Sequence, residues 1–76
     1  MQVKINGETP FKCLKETFTV GPTSNGYVLG YGVSKEGPFT EYETAVPANE
    51  TLIVYGVTAL SWFKLIGNQD EVDGIL

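Results

Sequence analysis

The sequence predicts an all-β chain: a small single-domain antiparallel β-sandwich, Ig-like or jelly-roll-like, with about six or seven short strands. Three observations predict it. Nine glycines and four prolines fall between short apolar runs, which is how brief strands are punctuated. Several of those runs alternate apolar and polar residues with the two-residue period of a half-buried strand. The 76 residues, 42% apolar and 18% charged, suffice to bury one core and leave no room for a second domain.

The expected strands lie near 3–7, 14–20, 26–33, 39–44, 51–57, 60–66 and 72–76. In the second, Leu14, Phe18 and Val20 share one face, with Glu16 as the exception, and Lys15, Thr17 and Thr19 share the other. Residues 21–26 carry turn chemistry, and the pair Asn25 and Gly26 suits a tight reversal. The third strand places Tyr27, Leu29, Tyr31 and Val33 on one face and leaves Gly30 and Gly32 on a nearly bare one, which an aromatic neighbour or a partner must cover. A turn over 34–38 leads to a strand in which Phe39, Glu41 and Glu43 oppose Thr40, Tyr42 and Thr44, the acids giving it a solvated face. Residues 51–57 are apolar on both faces, as in a central strand covered twice or one whose outer face meets a partner. Residues 58–67 read better as a strand than a helix, because a helix would be apolar nearly all round. The strand sends Phe63 and Leu65 inward and Trp62 and Lys64 outward. Ile75 and Leu76 close the sequence as a last paired strand or a docking tail.

Composition narrows the chemistry. Histidine is absent, which removes the commonest general base, metal ligand and partner of a nucleophile. All five bases are lysines, dispersed at Lys4, Lys12, Lys15, Lys35 and Lys64, in a chain of net charge −4, so no nucleic-acid-binding patch and no attraction to an anionic membrane is expected. Cys13, alone, forms no intrachain disulfide and is expected in the core. Asn68 and Asp70 suggest a calcium loop, but Val72 stands where the third ligand belongs. Neither metal nor cofactor is expected. The N-terminal residues contain no signal-like apolar core, and a soluble, complete small gene product is the expectation.

Gly26, Tyr27, residues 30–42, residues 46–51 and residues 62–68 together resemble small virion proteins of tailed bacteriophages. The shared pattern is a tyrosine strand, a Ser-x-x-Gly turn, an aromatic-Thr pair, a Pro-Ala-Asn crossing and a Phe-Lys-Leu strand ending in Gly-Asn. The resemblance implies a β-sandwich module of capsid decoration, head-fibre or tail, located in the virion after assembly in the host cytoplasm. It implies no active site. Similar tyrosine strands and glycine turns occur in discoidin-like carbohydrate-binding sandwiches.

The functional expectation is therefore a non-enzymatic structural subunit that docks on other virion proteins or on copies of itself. Chains this short bury only about 60% of their unfolded surface, and association supplies stability that disulfides or metals give elsewhere. Tyr55, Trp62, Ile75 and Leu76 are the expected contact, with Tyr27 and Tyr31 beside them. The alternative is a glycan-binding module in which Trp62 and a tyrosine stack on sugar rings while Glu41, Glu43 or Asn68 accept hydroxyl hydrogen bonds.

Overall fold

Alternating patterns become strands wherever one face has a core to meet. The computed structural model describes residues 2–42, 45–57 and 61–76, and these form seven strands: β1 (Gln2–Asn6), β2 (Thr17–Val20), β3 (Val28–Gly32), β4 (Thr40–Glu41), β5 (Leu52–Tyr55), β6 (Trp62–Ile66) and β7 (Glu71–Ile75). They pair antiparallel in two sheets, a four-stranded one ordered β1-β7-β2-β5 and a three-stranded one ordered β4-β3-β6. The chain is all-β, a small sandwich. Its interior takes Ile5, Phe18, Val20 and Val54 from the larger sheet and Leu29, Phe63 and Leu65 from the smaller. Phe11 completes the filling: its ring meets Phe18 edge-on at 5.5 Å, Phe18 meets Phe63 at 4.8 Å, and its backbone exchanges two 2.8 Å hydrogen bonds with Phe63. That exchange covers the outer edge of β6.

Several expectations are corrected. The second strand begins at Thr17, because the chain bends over 14–16 to drive Cys13 into the core. The Cys13 sulfur accepts the Lys15 N–H at 3.4 Å, and Leu14, expected inward, is thrown outside at 83% exposure. Asn25 and Gly26 do not make a hairpin. β2 and β3 belong to different sheets, so residues 21–27 cross between layers, and Gly26 is required because a Cβ there would sit 2.9 Å from the Val46 carbonyl oxygen. Residues 51–57 supply an edge strand, not a central one, since among the described residues β5 pairs with β2 alone. β4 shortens to two residues; Glu43 and Thr44 lie outside the described residues, as do 58–60 of the run read as a strand.

The bare glycine face is covered from within the chain. A Cβ on Gly30 would meet Ile66 Cδ1 at 2.7 Å and Phe39 Cβ at 3.2 Å, and one on Gly32 would meet the Pro38 carbonyl oxygen at 2.6 Å. Phe39 and Ile66 are therefore the covering side chains, and Phe39 is the aromatic neighbour. Backbone yields less readily than the tip of an isoleucine, so Gly32→Ala should cost about 2 kcal/mol, within the range for overpacking, and Gly30→Ala less. Thermal denaturation checks this: Gly32→Ala is expected to melt roughly 10 °C lower, and an unchanged melting temperature would contradict the placement of Pro38 against β3.

Candidate docking surface

In β5 the inward residues are Leu52 and Val54, opposite Val20 and Phe18, so strand alternation turns Ile53 and Tyr55 out. Register then assembles a surface. Thr19 stands between Ile53 of β5 and Ile75 of β7, and Thr17 stands beside Tyr55, giving two adjacent rows across three strands of a rigid sheet. Ile53 is 49% exposed, Tyr55 72% and Ile75 56%. Their combined apolar area is on the order of a few hundred Å², comparable to the largest apolar patch of a typical monomer, which is often functional.

The border of this surface is charged. Lys4 lies directly opposite Asp73, and the two side chains form an exposed ion pair next to Ile75 along β7. The Asp73 carboxylate, accepting a hydrogen bond from the Lys4 ammonium, holds the lysine pKa above its ordinary value. An exposed pair of this kind adds little stability. It joins the two charges nearest Ile75, with Glu71 further along the same face of β7.

The residues expected at a contact separate into groups. Tyr55 and Ile75 come together as described. Leu76 is half-buried and packs on the core, so the terminus is a last paired strand with its end folded in, not a free tail. Trp62 lies on the outer face of the three-stranded sheet, opposite Gly32, half-buried, with the Lys12 ammonium 5.4 Å from its ring centre. Tyr31 remains 40% exposed at the end of the sandwich, edge-to-face with Tyr42 at 5.8 Å. Tyr27 is removed from the contact: at 3% exposure it is core, because the Val46 backbone bridges to it and closes that end of β3. Ile53 is the residue the sequence reading missed. Its signal was available, since it shares the parity of Tyr55.

The groups needed to hold a sugar are dispersed. A cleft of about 130 Å³ lined by Tyr31, Tyr42 and Tyr55 falls below the roughly 300 Å³ of ordinary ligand pockets, and the groove of about 410 Å³ near it takes Tyr42, Tyr55 and Glu50 but neither Glu41 nor Asn68. Trp62 lines neither, and Glu41, paired with Gly30, lies on the opposite side of its sheet from Tyr42. Asn68 is fully buried: its amide donates to the Thr23 hydroxyl at 3.2 Å, and its side-chain oxygen accepts the Asp70 N–H at 2.7 Å. Asp70 also accepts from the Asn25 amide, so Asn68 and Asp70 tie two loops together. Glu43 lies outside the described residues. Among the described residues no three His, Cys, Asp or Glu side chains gather as a metal set, and no helix is long and apolar enough to cross a membrane.

Tyr27 makes a separate prediction. Its buried hydroxyl has no hydrogen-bond partner among the described residues, and burial pushes its pKa up to about 12. An unfolded tyrosine ionises near 10. The stability linked to this group is therefore complete below pH 10 and is lost as pH rises from 10 towards 12. Tyr27→Phe removes both the unpaired hydroxyl and this titration, so the variant should gain roughly 1 kcal/mol at neutral pH and lose stability less steeply in alkali. Urea melts at pH 7, 10 and 11.5 check it; a destabilised variant at pH 7 would show that the hydroxyl is bonded.

Compared with protein-family models, curated proteins and solved structures, the chain matches none.

Proposed function

We propose that this chain is a non-enzymatic structural subunit that docks on a larger assembly, in the manner of the phage capsid decoration and fibre-base proteins its sequence resembles. One observation carries the reading: Ile53, Tyr55 and Ile75 stand together, exposed, on the outer face of the four-stranded sheet. A rigid sheet presents such a patch without an ordering cost, which favours docking by preformed surface. Trp62 with Lys12 is the smaller contact on the opposite sheet. In a repeating assembly each weak contact is reinforced by its neighbours through effective concentration, so one small apolar patch per copy is enough. The virion is the proposed location, and other virion proteins are the proposed partners. The test is occupancy: particles assembled with the wild-type chain or with an Ile53→Lys/Tyr55→Lys chain are purified and the copies per particle counted. Docking through this face predicts that the variant is lost from the particle, whereas equal occupancy would overturn it.

A further inference from the structure

We propose that the free edge of β5 receives an extended segment of a different protein as an added strand, with apolar side chains at alternate positions and a lysine or arginine that reaches Glu50. The inference rests on the docking reading and names the form of its partner. Gly21 donates its N–H to the Asp73 carbonyl at 2.8 Å, which turns the odd-numbered residues of β2 towards β7 and the even-numbered Phe18 and Val20 towards β5. Their partners Val54 and Leu52 spend their backbone groups on β2, so Ile53 and Tyr55 direct N–H and C=O outward, along an edge that no strand among the described residues covers.

The groove of about 410 Å³ is lined by that edge, with Leu29, Val46 and Val54 among its apolar residues and Tyr42 and Pro47 contributed from outside β5. A strand laid about 4.8 Å from β5 would drop every second side chain into the groove and set the others against Ile53 and Tyr55. Main-chain hydrogen bonds give such an addition its affinity and the alternate pockets its specificity. Glu50 is the only charged residue lining the groove among the described residues. The flanks of β5, residues 49–51 and 56–57, carry Glu50 and no base, so a second copy pairing edge to edge would bring another acid and no cation. The complementary charge comes from a different chain.

The test is a backbone amide NMR titration of the whole chain with two synthetic ten-residue peptides of alternating valine and serine, one ending in lysine and the other in glutamate. Expected are the largest shifts and at least tenfold slower hydrogen exchange at Ile53 and Tyr55, with the lysine peptide bound about tenfold more tightly than the glutamate one. Ile53→Pro removes an outward donor at an edge position where proline is tolerated, and should weaken the lysine peptide at least tenfold. The wild-type exchange data stand even if that variant does not fold. Shifts centred elsewhere, equal binding of the two peptides, or concentration-dependent shifts at Ile53 and Tyr55 without peptide would each overturn the proposal. A chain that ignores both peptides yet loses particle occupancy as Ile53→Lys/Tyr55→Lys refutes strand addition alone. Peptide binding with unchanged occupancy refutes the docking face alone.

Discussion

Phe18→Ala should be among the most destabilising single substitutions in the chain, costing about 3–5 kcal/mol. Phe18 is fully buried between Phe11 and Phe63, and the three rings form the centre of the sandwich. Truncating a buried phenylalanine costs about 3–5 kcal/mol, the lost transfer energy plus the cavity left behind. A domain of this length holds roughly 4–11 kcal/mol in total at ~0.05–0.15 kcal/mol per residue, and Cys13, the one cysteine, forms no intrachain disulfide to offset the loss. Urea denaturation followed by Trp62 fluorescence and far-ultraviolet circular dichroism measures the effect. A Phe18→Leu chain, closer in volume, should lose about 1.5 kcal/mol or less. Were Phe18→Ala to melt like Phe18→Leu, the aromatic cluster would not be the centre of the fold.

Ile53→Lys/Tyr55→Lys should abolish docking while leaving the isolated chain folded. Both side chains point away from the core on an edge strand, so each substitution is expected to change stability by no more than about 0.5 kcal/mol. In the proposed interface the same changes would place two ammonium groups against an apolar partner surface. Losing two anchoring side chains costs on the order of 3–4 kcal/mol, which is a hundred- to thousandfold in affinity. Repetition multiplies the defect, because each missing contact also lowers the effective concentration that holds its neighbours. Matched melting curves together with lost occupancy are the expected pair of results; a variant that docks normally would place the contact elsewhere, with Trp62 on the opposite sheet the next surface to alter.

Much of the architecture is legible in the sequence because its strands face a core on one side only. Phe18 with Val20, and Phe63 with Leu65, alternate so regularly that their inward faces follow from parity alone. Where parity misled, a longer-range contact decided. Leu14 continues the alternation of β2, yet the burial of Cys13 breaks the strand before it. Asn25 and Gly26 have hairpin chemistry, but the flanking strands belong to different layers, and local turn preference carries no information about that. Tyr27 and Tyr31 share the same strand parity, and the Val46 backbone bridging to Tyr27 is what makes the first core while the second stays partly exposed. The docking surface was half legible. Tyr55 and Ile75 stand out in the sequence as aromatic and terminal apolar positions, whereas their adjacency depends on β7 pairing with β2, a contact between residues more than fifty apart in sequence.

The central claim is that this chain works as one of many copies fixed to a particle. Its most direct measurement is the quantity of wild-type chain across a density gradient of material from its source. The account predicts a peak at the density of an assembled particle, with many copies per particle and release only under conditions that weaken apolar contacts. A chain found solely among free small proteins, as a monomer, would contradict it.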